Sequence, residues 1–175
     1  MKTRELTTIA LLSSLLSVSA YIAIPIPSFT VTFTLQTLVI MVIGLSMPRK
    51  IAVTSVLIYL FIGAIGLPVF SKGQAGIMVL LGPTGGYLLG FLASSWCMSS
   101  FKTTTWMTRF LSAIIFGVIL VYGFGVLGLM WVLQITLFDA LMIGVVPFIL
   151  LDLMKAVMAA TISTKSENFF RKLGQ

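Results

Sequence analysis

The sequence predicts an all-α membrane protein with six transmembrane helices, and three observations lead to this fold class. Hydrophobic residues make up 59% of the 175 residues and charged residues only 9%, whereas a soluble domain has about 25% charged residues. The mean hydropathy of +1.16 agrees with this excess. Prolines, glycines and short polar segments divide the apolar sequence into runs close to the roughly 20 residues that one bilayer crossing requires. We therefore expect residues 1–175 to form a single transmembrane domain without a separate soluble domain.

The first apolar run covers residues 6–24 and follows a polar segment with two basic residues. Pro25 and Pro27 end it, because proline lacks an N–H donor and disfavours helical conformation in the residue before it. A signal peptide has a similar charged start and apolar centre. We favour a span, because the run is close to full spanning length and no small-residue cleavage site follows it. The alternating, β-branched residues 28–34 then predict an extended loop.

The second and third apolar runs cover residues 35–47 and 51–67, and each is closed by a proline, Pro48 and Pro68. The next segment, residues 69–86, contains five glycines and a further proline. This composition is unfavourable for a stable helix, because glycine loses more conformational freedom on folding than any other residue. The segment is nevertheless too apolar for an ordinary solvated loop. We predict a loop that dips into the helix bundle or caps it.

The fourth and fifth spans are predicted at residues 87–101 and 110–127, with a polar connector between them. Residues 128–146 are apolar but interrupted by polar residues and glycine. They predict a loop with a short interfacial helix at about residues 137–143, and Trp131 is expected near the lipid headgroups, where indole rings are enriched.

The sixth span is predicted at residues 147–163, because Pro147 suits the first turn of a helix. A polar and basic tail, residues 164–175, follows it. The six predicted spans are therefore about residues 6–24, 35–47, 51–67, 87–101, 110–127 and 147–163.

The basic residues predict the orientation of these spans. With a cytoplasmic N-terminus, Lys72 lies outside and Lys155 lies within a span, while the other basic residues are cytoplasmic. The cytoplasmic set is Lys2, Arg4, Arg49, Lys50, Lys102, Arg109, Lys165, Arg171 and Lys172. The positive-inside rule describes this asymmetry for short loops. Orientation thus explains the net charge of +7, and no nucleic acid partner is needed.

Several kinds of reactive site are excluded by composition. The chain has no histidine, one cysteine and four acidic residues, so it cannot assemble a typical zinc or di-iron site or a Ser-His-Asp triad. Cys97 cannot form a disulfide framework, and its apolar surroundings indicate a buried small residue. We expect no metal site, no cofactor and no enzymatic activity.

Asp152 and Lys155 are the residues whose position in a span requires an explanation. They are three residues apart on a predicted helix, so they share a face and can pair. Each costs roughly 2.5–3.5 kcal/mol at the centre of a spanning helix, and both are therefore expected to face the bundle interior or a polar cavity. One interpretation is a structural ion pair that locks helices together. The other is a polar ligand site, in which the carboxylate accepts hydrogen bonds and the ammonium donates them.

Two further features remain open between structural and functional interpretations. The glycines of residues 66–86 either allow the backbone to approach a ligand closely or form tight turns between helices. This segment contains no Gly-Lys-Ser/Thr and is not a nucleotide-binding P-loop. In the first helix, small residues recur at spacings of three and four, which suits close approach of another transmembrane helix. That face is either an internal packing seam or a surface for a partner.

Taken together, these residues resemble the BioY family, the biotin-specific substrate-binding (S) subunits of energy-coupling-factor (ECF) vitamin transporters. The resemblance covers about residues 10–160, and the joining of the Gly-Pro-Thr-Gly-Gly-Tyr run to the Asp-x-x-Lys helix is its most specific part. The segments that carry it are Thr32-Phe33-Thr34-Leu35-Gln36-Thr37, Gly66-Leu67-Pro68-Val69-Phe70, Leu81-Gly82-Pro83-Thr84-Gly85-Gly86-Tyr87-Leu88 with Gly90-Phe91, and Pro147-Phe148 with Asp152 and Lys155.

The resemblance implies the six-helix ECF S-component fold in a bacterial cytoplasmic membrane, with both termini cytoplasmic and biotin held near the outer face. The family pattern implies ligand contacts from Asp152, Lys155 and Tyr87 and a backbone contribution from Gly73, Gly76, Gly85 and Gly86. Tyr87, Phe70 and Trp131 are candidates for the apolar walls that supply most of the contact in such pockets.

The resemblance also implies partners, namely the transmembrane T subunit and two ABC-type ATPases of the coupling module. Docking is expected through a small-xxx-small motif, which reads Ala10-x-x-x-Ser14 here instead of Ala-x-x-x-Ala. Lys72 stands where family members usually have a smaller residue.

The expected function is capture of biotin on the outside for ATP-driven import. In the expected binding mode Asp152 accepts from a ureido N–H, while Lys155 donates either to the ureido oxygen or to the carboxylate. Two alternatives remain: an S subunit for another vitamin, such as thiamine or riboflavin, and a membrane scaffold in which the Asp152–Lys155 pair is structural.

Overall fold

The computed structural model describes residues 3–24, 32–101 and 104–173. In these ranges the chain is predominantly helical, which confirms the predicted all-α class. The helices are α1 (Thr3–Tyr21), α2 (Gln36–Ser46), α3 (Arg49–Ala64), α4 (Ile77–Leu81), α5 (Gly85–Ser100), α6 (Trp106–Leu133), α7 (Leu137–Gly144) and α8 (Ile149–Leu173).

The first helix ends earlier than the sequence predicts, at Tyr21 rather than at about residue 24. Strand β1 (Ala23–Ile24) follows it and pairs in antiparallel register with β2 (Phe33–Thr34). An extended backbone is expected directly before Pro25, because proline disfavours the helical conformation in the preceding residue. The extended loop predicted at residues 28–34 is confirmed at β2, while residues 25–31, with both prolines, lie outside the described residues.

The glycine-rich segment contains two helical turns that the sequence does not predict. A 3₁₀ turn covers Ser71–Gly73, and α4 (Ile77–Leu81) lies between Gly76 and Gly82. The glycines are confined to the flanks of α4, so the five apolar residues between them are free to form a short helix. This short helix lies over the end of the bundle.

Helix α6 is longer than predicted, since it runs to Leu133 instead of ending at residue 127. It includes a π-helical segment, Ala113–Ile119, and terminates where Gln134 adopts the left-handed conformation (φ 54°). The glycines of its second half do not interrupt it, because tertiary packing overrides their low helix propensity. The short helix expected after it is present as α7.

Helix α8 begins at Ile149, two residues after Pro147, and the expected position of this proline in the first helical turn is wrong. Residues 145–148 instead form a turn between α7 and α8, whose axes are bent by 57°. The helix continues through the segment predicted as a polar tail, as far as Leu173. No glycine or proline occurs between Pro147 and Gly174, so nothing stops the helix earlier.

A helix lies over each of the six predicted spans, but their lengths differ. Among the described residues, Trp106–Leu133 is long and apolar enough to cross a membrane by itself. The bent pair Leu137–Gly144 with Ile149–Glu167 is a second candidate, and the 11-residue α2 is shorter than a complete crossing.

A close crossing joins α5 to α6 through two glycines. A Cβ atom built on Gly86 would lie 2.3 Å from the carbonyl oxygen of Phe124 and 3.1 Å from the Cα of Gly128. A Cβ atom on Gly128 would lie 2.9 Å from the Cα of Gly86. Small residues allow membrane helices to approach until their backbones touch, and this contact fixes the wall of the bundle on that side.

At the other end of the bundle, a buried arginine ties α6 to α8. Arg109, expected in a polar connector, lies instead at the end of the first turn of α6 and is only 3% exposed. Its guanidinium donates to Ser163 Oγ and pairs with Glu167. Its charge is therefore paired within the protein at the end of the bundle opposite the α4 cap.

We predict that Gly86→Ala destabilises the protein strongly, whereas Gly123→Ala does not. The added methyl group at position 86 meets the backbone of α6, and overpacking of this kind costs about 1–3 kcal/mol or more. At position 123 a Cβ atom meets nothing within 4 Å, and alanine gains up to about 1 kcal/mol in helix propensity. Melting temperatures in a nonionic detergent measure both effects, and equal values for the two variants would contradict the proposed role of the crossing.

Candidate functional site

A cavity of about 370 Å³ opens at the end of the bundle beneath the glycine-rich segment. Its volume falls within the range of about 300–1,000 Å³ that is typical of small-molecule sites. Its floor comes from α2, α6 and α8, its walls from α5 and β2, and its cover from α4 and the 3₁₀ turn. The lining side chains used below are Thr34, Thr37, Phe70, Lys72, Met78, Tyr87, Leu88, Phe91, Tyr122, Asp152 and Lys155.

Asp152, in the first turn of α8, is the acceptor at the floor of this cavity. Its Oδ1 accepts hydrogen bonds from Thr37 Oγ1 at 2.9 Å and from Lys155 Nζ at 2.7 Å. Its Oδ2 accepts from the hydroxyl of Tyr122 at 2.6 Å. A carboxylate offers about four acceptor positions, so one position, on Oδ2, is left.

Lys155 lies one turn further along α8, and its ammonium group is fully coordinated. Nζ donates to the carbonyl oxygen of Thr34 at 2.6 Å, to Thr37 Oγ1 at 2.8 Å and to Asp152 Oδ1 at 2.7 Å. It also lies 3.7 Å from the centroid of the Phe33 ring, as in a cation–π contact. An ammonium has three N–H donors, and all three have acceptors within the protein.

The polar cluster formed by Thr34, Thr37, Tyr122, Asp152 and Lys155 joins four separate elements. Asp152 and Lys155 are each only 4% exposed, and the spacing of three residues on α8 brings them to one face. The opposite face of α8 presents exposed Leu150, Met154 and Val157. Charges directed inward and apolar side chains directed outward are typical of a helix that packs in a membrane bundle.

A second set of hydrogen bonds anchors β2 and the cavity wall. Gln36 Nε2 donates to the hydroxyl of Tyr59 at 2.6 Å, and Gln36 Oε1 accepts from Thr34 Oγ1 at 3.1 Å. The ring of Tyr59 packs edge-on against Phe70, with centroids 5.6 Å apart. The strand that supplies the Thr34 carbonyl to Lys155 is thereby held to α2 and α3.

Tyr87 forms part of the wall and is fixed at both ends. Its hydroxyl donates to the carbonyl oxygen of Gly144 at 2.9 Å. Its ring occupies space that is open only because positions 125 and 144 are glycines, where an added Cβ would lie 2.3 Å and 2.2 Å from Tyr87 atoms. The orientation of this aromatic wall is therefore set by α6 and α7.

The structure brings four of the predicted ligand residues, Asp152, Lys155, Tyr87 and Phe70, to the same cavity. Trp131 is 73% exposed and lines instead a smaller depression on α5 and α6, together with Gly86. It is not a wall of the large cavity.

The other predicted glycines take positions in the backbone around the cavity without lining it. Gly73 and Gly76 have positive φ angles of 71° and 94°, and the N–H of Gly76 donates to the carbonyl oxygen of Gly63 at 2.7 Å. Gly85 lies where a Cβ would be 1.8 Å from the carbonyl oxygen of Leu80. These residues shape the loop and the close contact of α4 with α5.

The small residues of α1 are divided between two faces. Ser13 and Ala20 are buried, and Ser13 Oγ donates to the carbonyl oxygen of Ser55 on α3 at 2.8 Å. Ala10 and Ser14, the predicted docking pair, are exposed on the outward face. Helix α1 therefore has one face of small residues that packs inside the bundle and another that is exposed.

Thr34, Thr37 and Tyr122 belong to the polar cluster but were not predicted as ligand-site residues. The first two lie in the Thr32–Thr37 segment that contributes to the family resemblance. Tyr122 is a polar side chain within an otherwise apolar run, which is the signal that could have identified it. Its distance of 30 residues from Asp152 conceals their contact in the sequence.

Comparisons with known proteins identify the family of this chain. A profile of the BioY family matches residues 1–172. The probable biotin transporter BioY of Pyrococcus horikoshii is 34% identical over 166 residues, covering 94% of this chain and 97% of the relative. Biotin transporter BioY2 of Lactococcus lactis is 37% identical over 161 residues, covering 90% of this chain and 86% of the relative.

A solved structure is also similar. It is the crystal structure at 2.1 Å of the S-component for biotin from an ECF-type ABC transporter. Its TM-score is 0.88 at 28% sequence identity, and the match covers 95% of this chain and 92% of the other. The predicted family resemblance and the predicted S-component fold are thus confirmed.

We predict that Asp152→Leu lowers the stability of the protein by about 3–5 kcal/mol, because it leaves the Lys155 ammonium buried without its carboxylate. The double variant Asp152→Leu with Lys155→Met is expected to recover most of this loss, since it removes both charges. Asp139→Leu, at an exposed acidic residue outside the cavity, is the control. Thermal unfolding in detergent measures the stability of each variant. An Asp152→Leu variant as stable as the wild type would contradict the prediction.

Proposed function

The chain belongs to the BioY family, and from this premise we propose that it is the biotin-binding S subunit of an ECF vitamin transporter. In this function the protein captures biotin on the outer side of a bacterial cytoplasmic membrane. The members of the BioY family are components of membrane transporters. We propose no catalytic step in this chain and no cofactor, with ATP hydrolysis carried out by partner subunits.

The observation that carries the proposal is the polar cluster at the floor of an otherwise largely apolar cavity. Biotin presents two ureido N–H donors and a ureido oxygen at one end, a carboxylate at the other, and an apolar thiolane ring and alkyl chain between them. The remaining acceptor position on Asp152 Oδ2 suits a ureido N–H. Phe70, Tyr87 and Phe91 line the cavity and suit the apolar part of the molecule.

Lys155 contributes to this binding mode by exchanging one of its protein hydrogen-bond acceptors for an atom of the ligand. All three of its N–H groups have protein acceptors, so a ureido oxygen enters its coordination shell only by replacing one of them. The carbonyl oxygen of Thr34 is the acceptor on the short β2 strand, which adjoins the cavity. We propose that the entering ligand replaces the hydrogen bond between Lys155 and the Thr34 carbonyl. Ligand binding at the cavity floor would then change the position of β2.

The proposed orientation places the cavity on the outer side and both termini in the cytoplasm. Asp152 lies three residues after the start of α8, or about 5 Å along the helix axis at 1.5 Å per residue. The site is therefore close to one membrane surface. Basic residues such as Arg49, Lys50 and Lys165 lie towards the other end of the bundle, in agreement with the positive-inside rule.

The proposed partners are the transmembrane T subunit and two ABC-type ATPases of a coupling module. The outward face of α1 at Ala10 and Ser14 supports this proposal, because its small side chains permit close approach of another helix. Exposed Leu11 and Leu15 flank this pair and supply apolar contact area.

A binding experiment with the purified protein tests the ligand. We predict that Asp152→Asn weakens biotin binding by about ten- to a hundredfold, the loss expected for one hydrogen bond to a charged group. Asp139→Asn is the matched control, because the same change is made at an exposed residue outside the cavity. Isothermal titration with biotin, thiamine and riboflavin checks the prediction. Unchanged biotin affinity in Asp152→Asn would show that this residue is not part of the site. Tighter binding of another vitamin would show that this vitamin, and not biotin, is the ligand.

Copurification tests the partner surface. We predict that Ser14→Trp abolishes recovery of the T subunit and ATPases with this chain while biotin binding is retained, because the large side chain prevents close helix approach. Leu127→Trp is the control, since Leu127 is exposed on α6 (66%) and remote from α1. Full recovery of the partners with Ser14→Trp would place the docking surface elsewhere.

A further inference from the structure

We propose that Lys72 binds the carboxylate of the ligand at the mouth of the cavity and makes the site selective for an anionic ligand. This inference rests on the proposed function and concerns a residue that the polar cluster does not include. It assigns the two ends of the ligand to different parts of the site. The neutral hydrogen-bonding end lies at the floor and the anionic end lies beneath the glycine-rich segment.

The charges that line the cavity support this assignment. Asp152, Lys155 and Lys72 are the charged residues among the described lining side chains. Asp152 and Lys155 pair with each other at 2.7 Å, so their charges compensate. Among the described residues, no acidic side chain pairs with Lys72. The cavity therefore has one uncompensated positive charge, and it is located at the mouth.

The backbone at Lys72 provides an independent observation. Lys72 adopts the left-handed conformation, with φ 59° and ψ 23°, which is unfavourable for a residue with a Cβ atom and easy for glycine. Such a backbone conformation persists only where the surrounding structure holds it in place, and strained positions of this kind cluster at ligand sites.

The turn that holds Lys72 is well defined. The N–H of Phe70 donates to the carbonyl oxygen of Gln74 at 3.1 Å, and the N–H of Gly73 donates to that of Phe70 at 3.0 Å. The Phe70 side chain is 1% exposed and packs on Tyr59. The buried ring therefore anchors the turn, and the turn places Lys72 on the cavity rim.

The hydrogen bonds of Lys155 argue against the simplest alternative, in which the ligand carboxylate binds to Lys155 instead of Lys72. Three protein acceptors already surround its ammonium, and the Asp152 carboxylate is one of them. A second carboxylate there would lie against the first, which is unfavourable for two like charges. Lys72 has no such competitor among the described residues.

The test compares biotin with biotin amide, in which the carboxylate is replaced by an uncharged group of similar size. Titrations are carried out in a nonionic detergent at low and high salt on the wild type, Lys72→Gln, Lys72→Gly and Lys72→Arg. Lys165→Gln, which removes an exposed positive charge from α8 away from the cavity, is the matched control. Lys72→Gly also relieves the left-handed backbone, so it is expected to keep or raise the melting temperature and remains a folded test protein.

We expect the wild type to prefer biotin over biotin amide by about two- to fivefold at low salt, the strength of an exposed charge pair. The preference should weaken at high salt through screening. It should be lost in Lys72→Gln and Lys72→Gly and kept in Lys72→Arg and Lys165→Gln.

The outcomes separate this inference from the proposed function. Biotin binding with equal affinity for the amide, or a preference that survives Lys72→Gln, overturns the role of Lys72 and leaves the proposed function intact. A wild-type protein that binds neither compound overturns the proposed function itself.

Discussion

The pairing of Asp152 with Lys155 is the interaction on which the organisation of the site depends. A bilayer offers no water to solvate a charge, so each of these groups needs partners from the protein. Meeting that need brings α2, α6, α8 and β2 together at one point, through the Thr37 hydroxyl, the Tyr122 hydroxyl and the Thr34 carbonyl. The cavity opens directly above this point.

The rest of the fold supplies rigid surroundings for that cluster. Backbone contact between Gly86 and Gly128 holds α5 against α6, and the glycines at 125 and 144 leave room for the Tyr87 ring. Phe70 is seated between Gly63 and Tyr59 and anchors the covering turn. Within the glycine-rich segment, Gly85 and Gly86 allow close backbone contact, whereas Gly73 and Gly76 adopt the positive φ angles that the loop requires.

The sequence was sufficient for the helical class, the approximate helix positions and the pairing of Asp152 with Lys155, because apolar runs, prolines and isolated charges are local signals. Residues that only folding brings together could not be predicted from it. Tyr122 is 30 positions from Asp152, and Thr34 contributes a backbone carbonyl that has no sequence signature. The ends of α6 and α8 were misjudged for a different reason. Tertiary packing carried α6 past its glycines, and the absence of a helix breaker let α8 continue into a polar segment.

The length of α8 has a mechanical consequence. This single helix carries Asp152 in its first turn and Glu167, which pairs with the buried Arg109, close to its other end. Fifteen residues at 1.5 Å each separate them by about 22 Å, without a glycine or proline between them at which the helix could flex. Any tilt of α8 that opens the polar cluster at one end of the bundle must therefore displace the Arg109–Glu167 pair at the other end.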